Sequence, residues 1–264
     1  MDNLNRWRHR VRFGCFLAGS MVSRRKYEFL FVLSHMRSGS TLLSHLLYSH
    51  KEIGGFGEAH QWYVSPRCLM RLTYQIRRQT GPIKPTTRYL MDKILHNRYT
   101  VYIHLAETES IRFIVLLRDP CQSISSMLRF ENLECCPLTG RSRRDLEAYY
   151  CARVYDICDF VSRLGGRANC LFTSYKDIVG RSEQTLNRMS RFLDLNSPLQ
   201  THYEVGPMTG QPVIGDSSPQ IFSGRILPPD RTTAPCVEKN DIPRAVEMHA
   251  DAVRYLSSNP SVES

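Results

Sequence analysis

None of the nine cysteines, Cys15, Cys68, Cys121, Cys135, Cys136, Cys151, Cys158, Cys170 and Cys236, stands in a Cys-x-x-Cys pair. That absence excludes the usual structural zinc site and the dithiol redox motif. An odd, scattered set in a chain of 264 residues, too long to need disulfide staples, points to reduced thiols and a cytoplasmic setting. Long apolar runs are missing as well. The best candidate, Phe13 to Val22, is too short for a bilayer and is fenced by arginines, so no transmembrane segment is expected. There is no internal repeat, which excludes solenoids and propellers. His, Cys and carboxylate residues do not gather at ligand spacing, so no metal is expected.

What is present is enough apolar material for one good core: 42% of residues are hydrophobic. The expected organisation is a basic lead over residues 1–27 followed by a single domain over 28–264. The formal net charge is +10, and residues 1–30 carry about half of the excess in Arg6, Arg8, Arg10, Arg12, Arg24, Arg25 and Lys26 against Asp2 and Glu28. Such a balance suits anionic ligands, while a basic tail reads as a solvated arm more readily than as a specific nucleic-acid reader.

Apolar strands alternate with helical patterns. Residues 28–33 (EFLFVL), 88–95 (RYLMDKIL), 112–117 (RFIVLL) and 169–172 (NCLF) read as short buried strands. Leu146, Tyr150, Val154, Ile157, Val161 and Leu164 repeat at helical spacing ahead of Gly165–Gly166, and Leu186, Met189 and Leu193 share a face in a segment that opens on Ser182 as its expected cap. A further helix is expected around 65–78 and a last one over about 242–256. This pattern predicts an α/β class: a three-layer, P-loop-like fold with a central parallel β-sheet flanked by helices. Residues 196–241 are rich in Pro, Gly, Ser and Asp, too long for an idle connection, and read as a lid or ligand-binding segment.

The most informative stretch is FLFVLSHMRSGSTLLSHLL, Phe29 to Leu47. A parallel strand that turns into a helix through Ser38, Gly39, Ser40 and Thr41 aims backbone N–H groups and a positive helix end into one space, which is an anion site. Gly39 permits close approach, the hydroxyls add donors, and Arg37 offers a planar fork matched to phosphate or sulfate. The nucleotide-kinase loop G-x-x-x-x-G-K-[ST] is incomplete here, because Ser34 takes the first Gly position and no Lys follows Gly39.

HMRSGSTLL resembles the phosphosulfate-binding loop of the sulfotransferases that use 3'-phosphoadenosine 5'-phosphosulfate (PAPS), in the Arg-containing version of the tyrosylprotein and many bacterial enzymes. FIVLLRDPCQSISSML is similar to that family's 3'-phosphate motif: Arg118 at a strand end, Pro120 opening a helix, and Ser126 two turns along. The resemblance runs firmly from Phe29 to about Leu128. It implies that Arg37, Ser38, Gly39, Ser40 and Thr41 hold the 5'-phosphosulfate and that Arg118 and Ser126 hold the 3'-phosphate. Glu58, in GGFGEAH, inherits the general base, and Lys93, in YLMDKILHN, inherits the catalytic lysine, with Arg37 also touching the reacting group. By position and composition Arg225, in GDSSPQIFSGRILPPDR, is the candidate to fold over the adenosine.

The cytosolic enzymes of that family use a histidine in a K-x-H arrangement, whereas this chain has K-x-x-H, Lys93 to His96. On an extended segment residues three apart face opposite ways, so His96 is expected to point away from Lys93, and His60 is the second candidate base. An unperturbed Glu is ionised at pH 7 but weakly basic unless burial raises it. The implied activity is in-line sulfuryl transfer from PAPS, without metal, to a small-molecule, glycan, lipid or peptide acceptor through its hydroxyl or amine. The competing readings are a P-loop small-molecule kinase, which requires magnesium–ATP, and a non-catalytic anion- or nucleic-acid-binding member of the fold.

Overall fold

The computed structural model describes residues 27–55, 57–129, 140–164, 169–206, 209, 219–227, 236–259 and 262–263. The basic lead, the cysteines at 15, 135 and 136, and the Gly165–Gly166 stop lie outside the described residues.

Among the described residues six strands form one sheet in the order β2-β3-β1-β4-β5-β6, and every pair is parallel. They are β1 (Glu28–Ser34), β2 (Ile53–Gly54), β3 (Tyr89–Ile94), β4 (Ile111–Leu117), β5 (Cys170–Ser174) and β6 (Val262–Glu263). The four strands expected from sequence fall within two residues of their observed bounds. The two-residue β2 and β6 are too short for any apolar period to mark them. The helices are α1 (Ser40–Tyr48), α2 (Pro66–Thr80), α3 (Ile103–Thr108), α4 (Pro120–Leu128), α5 (Arg143–Arg163), α6 (Tyr175–Gly180), α7 (Ser182–Phe192) and α8 (Pro243–Ser258).

The central strand explains the layering. Along β1 successive side chains alternate faces, and both faces are covered. Phe31, with Phe113 and Leu90 of its neighbours, packs beneath α2, α4, α5 and α8. Leu30 and Val32, with Ile114 and Leu116, pack against Leu43 and Leu47 of α1 and Leu186 and Met189 of α7. Each such fully buried side chain contributes about 1.5–3 kcal/mol, so the middle of the sheet is the rigid part on which the loops at its C-terminal edge are built.

Helix ends follow local chemistry, with one correction. Ser142 and Asp145 close a reciprocal capping box at the start of α5. Ser182 is not a cap: it is the first helical residue of α7, with Arg181 before it and no side-chain cap bond. The serine that caps is Ser174, which accepts from the Asp177 amide and opens the short α6, an element absent from the sequence expectation. From residue 196 onward the described parts of the long segment hold two short 3-10 turns, Pro219–Ser223 and Lys239–Asp241. No helix among the described residues is long and apolar enough to cross a membrane.

Candidate active site

The C-terminal ends of β3, β1 and β4 are neighbours, so the residues that follow them meet at one edge of the sheet, where open α/β sheets bind ligands. After β1 the chain turns sharply: Arg37 takes φ +59° and Gly39, the residue capping α1, takes φ +90°. Gly39 is required twice over. Its φ disfavours any L side chain, and a Cβ there would lie 2.3 Å from Cδ2 of Tyr175. The Oγ of Ser38 is fully buried and has no hydrogen-bond partner. A buried hydroxyl without a partner, in a loop that starts a helix, fits an anion as the missing acceptor.

The two motif segments join here. Arg37 Nε donates to Ser126 Oγ of α4 at 2.9 Å, and Arg118 Nη1 donates to the Arg37 carbonyl at 3.1 Å. Arg118 Nε also donates to Gln122 Oε1 at 3.1 Å, and its guanidinium stacks on the Tyr175 ring, 4.2 Å from the centroid. The backbone of Arg118 is pinned from both sides. Its N–H donates to His35 Nε2 at 3.2 Å, and its carbonyl accepts from Tyr150 Oη at 2.8 Å. His35 Nδ1 lies 2.9 Å from the Met36 carbonyl and so carries the proton, leaving Nε2 to accept. Complete burial lowers the His35 pKa to about 3 and keeps it in that neutral form.

A second cluster joins β3 to the segment after β2. Glu58 is buried, with Oε1 3.3 Å from Lys93 Nζ and Oε2 3.0 Å from His60 Nε2. Lys93 Nζ also donates to Thr41 Oγ1 of α1 at 3.3 Å, which ties this cluster to the anion loop. Burial pulls the Glu58 carboxyl upward, but the Lys93 charge and the His60 hydrogen bond outweigh it and hold the pKa below 4.5. The Glu58 bond in turn raises His60 above 6.5. Glu58 is therefore ionised at neutral pH and less basic than an isolated carboxylate, the opposite of the shift that burial alone would give.

Asp92 supports the same segment from the other face of the sheet. It accepts from the Ala59 amide at 2.8 Å and from Tyr63 Oη at 2.6 Å, and complete burial raises its pKa to about 7. Arg153 of α5, also buried, donates to the carbonyls of Ser34 at 2.8 Å and Ile94 at 2.6 Å. It thereby clamps together the strand ends that carry the anion loop and Lys93.

Arg37, Ser38, Gly39, Ser40, Thr41, Glu58, Lys93, Arg118 and Ser126 thus occupy one connected region. Arg225 is not joined to it: its side chain is exposed and its backbone pairs with His202. His96 departs from expectation. β3 ends at Ile94, so His96 lies in a bend rather than on an extended strand, and strand alternation does not set its direction. Sequence reasoning missed His35, Asp92, Tyr175 and Arg153. Two of these left a trace: Asp92 is an acid inside an apolar strand, and Arg153 interrupts the apolar stripe of its helix.

No family model matches the sequence, and no curated protein matches it. Solved structures do. Mouse sulfotransferase SULT7A1 complexed with PAP superposes with a TM-score of 0.55 at 11% identity, over 90% of this chain and 86% of that one. The sulfotransferase domain from the curacin biosynthetic pathway gives 0.49 at 20% identity, over 88% and 97%. Retinol dehydratase in a complex with retinol and PAP gives 0.45 at 13% identity, over 86% and 81%. The six parallel strands, their flanking helices and the superposition on the mouse enzyme show that this chain has the fold of the sulfotransferases.

Proposed function

We propose that this chain is a PAPS-dependent sulfotransferase that moves a sulfuryl group to a hydroxyl or amine acceptor. The observation that carries this reading is the junction of two anion-binding elements: the Arg37 loop, with its partnerless Ser38 hydroxyl, bonded directly to Arg118 and Ser126. A donor with charged groups at both its 5' and 3' ends needs two such grips held at a fixed separation. The mouse structure of the same fold is a complex with PAP, which supports the assignment of the donor.

In this reading the amides and hydroxyls of Ser38 to Thr41, with Arg37, hold the 5'-phosphosulfate, while Arg118 and Ser126 hold the 3'-phosphate. Glu58 takes the proton from the acceptor as its oxygen or nitrogen bonds to sulfur. Lys93 stabilises the charge left on the bridging oxygen as the sulfur–oxygen bond to adenosine 3',5'-bisphosphate breaks. Lys93 is shared between Glu58 and Thr41 at rest. Its move toward the bridging oxygen weakens its hold on Glu58 and makes that carboxylate more basic when a base is needed.

Calorimetric titration with adenosine 3',5'-bisphosphate, with magnesium–ATP in parallel, tests the donor. Bisphosphate binding independent of magnesium is expected, weakened about 10- to 100-fold by Arg118→Ala through the loss of charge-assisted hydrogen bonds. Arg37→Ala is expected to weaken it similarly. A preference for magnesium–ATP, or indifference to both arginines, refutes the assignment.

A further inference from the structure

Between Glu58 and Glu107 the sequence holds eight cations, Arg67, Arg71, Arg77, Arg78, Lys84, Arg88, Lys93 and Arg98, and a single acid, the buried Asp92. Sulfuryl transfer uses only Lys93 of these, and Arg88 is paired with Glu28 and Asp194. Arg67, Arg71, Arg77 and Arg98 are exposed and have no ionic partner among the described residues. In α2, Arg67 and Arg71 stand four residues apart on one stripe, opposite Leu69, Leu72 and Ile76, which enter the core. The helix itself has no acidic residue.

Beside this stripe lies an apolar surface. Trp62, Val64 and Tyr102 are 57%, 43% and 52% exposed, three of the six most exposed large hydrophobic residues among those described. They are neighbours, because the Tyr63 amide bonds the Thr100 carbonyl and the Tyr102 amide bonds the Tyr63 carbonyl. Val64 directly precedes Ser65, the residue that caps α2. The one polar atom of the Trp62 side chain donates to the Arg98 carbonyl, which sets Arg98 beside the indole and leaves the rest of that exposed ring hydrocarbon.

We propose that this face, Trp62, Val64 and Tyr102 rimmed by Arg67, Arg71 and Arg98, docks the protein on an anionic lipid surface. Unpaired arginines beside outward-facing Trp and Tyr match the two attractions of an acidic bilayer interface, headgroup charge and shallow apolar burial. A soluble polyanion would satisfy the arginines but would leave the three apolar side chains in water. The face begins two residues beyond His60, so a chain docked this way holds the Glu58–His60 segment beside the bilayer. The inference goes beyond sulfuryl transfer and does not depend on it.

The chain has only two tryptophans, so a full-length Trp7→Phe protein makes Trp62 the sole indole reporter. The experiment titrates it with vesicles of phosphatidylcholine containing about 30% phosphatidylserine, with pure phosphatidylcholine and with heparin. A blue shift of Trp62 emission on the acidic vesicles alone is expected. Arg67→Gln/Arg71→Gln should weaken that binding about 30-fold, at about fivefold per arginine, and Arg71→Gln/Arg98→Gln should do the same. An unchanged urea unfolding midpoint in both shows that the fold is intact, whether or not the protein binds bisphosphate. Unshifted emission overturns the proposal, as does vesicle binding that both double variants leave undiminished. Arginine-dependent heparin binding without a response to vesicles would assign the face to a soluble polyanion instead.

Discussion

Gly39→Ala probes the joint between the anion loop and Arg118, and its cost can be divided in advance. At φ +90° an alanine gives up about 1 kcal/mol to the left-handed backbone region. Its Cβ would sit 2.3 Å from Cδ2 and 2.6 Å from Cε2 of Tyr175. Ordinary contact between carbons begins near 3.5 Å, so the ring must retreat by about 1 Å, an overpacking cost of about 1–3 kcal/mol. The ring cannot move freely, because it carries the Arg118 guanidinium at 4.2 Å. The expected total is about 2–4 kcal/mol of stability, with a parallel loss of bisphosphate affinity as Arg118 is displaced. Urea unfolding of Gly39→Ala in wild-type and Tyr175→Ala backgrounds separates the two parts. With the ring removed only the backbone share of about 1 kcal/mol should remain, a coupling of about 1–3 kcal/mol between the sites. Equal costs in both backgrounds would refute the steric account, and a cost below about 0.5 kcal/mol would refute the geometry of the loop itself.

The acid limb of the pH–rate profile distinguishes the two candidate bases: Glu58 is held below its ordinary 4.5 and His60 above 6.5, so activity persisting below pH 4.5 assigns Glu58 and a limb above 6.5 assigns His60. Glu58→Gln should lower turnover about 10²- to 10⁴-fold, and loss of turnover in His60→Ala alone would overturn the assignment to Glu58. Asp92 has its pKa raised from 3.8 to about 7 on folding, so its contribution to stability is full below pH 3.8 and falls as pH rises through 7. Asp92→Asn should therefore gain on wild type from about pH 4 to pH 7, by at most about 4 kcal/mol, and keep that gain at higher pH, and parallel stability curves in denaturant would dismiss Asp92 as the titrating group. Arg153→Met strands the carbonyls of Ser34 and Ile94 and should cost about 2–5 kcal/mol in urea unfolding, whereas a neutral change would mean that water replaces the guanidinium.

The sequence alone determined the parts of this protein whose physics is local. Runs such as FLFVL and RFIVLL read as buried strands by their length, β-branched content and polar flanks, and Gly39 after Arg37 and Ser38 marks a strand-to-helix turn that collects N–H groups. Arg118 at a strand end and Pro120 opening a helix are legible locally, but the pairing of Arg118 with Ser126 came from the resemblance. The resemblance then supplied Glu58 and Lys93, which no local pattern singles out. Tertiary structure alone decided which distant groups share a charge or a proton. The low pKa of Glu58 depends on Lys93, 35 positions away, and the fixed backbone of Arg118 depends on His35 and Tyr150, on a strand end and a helix far apart in the chain. His96 shows the limit from the other side: alternation orients a residue only on an extended strand, and β3 stops at Ile94, a length that neighbouring packing sets. Ser182 and Ser174 show the same for caps, since either serine is suited to the role and only the path of the chain after β5 selects one. Periodicity and spacing are properties of a segment, while burial, charge coupling and strand length belong to the assembled sheet.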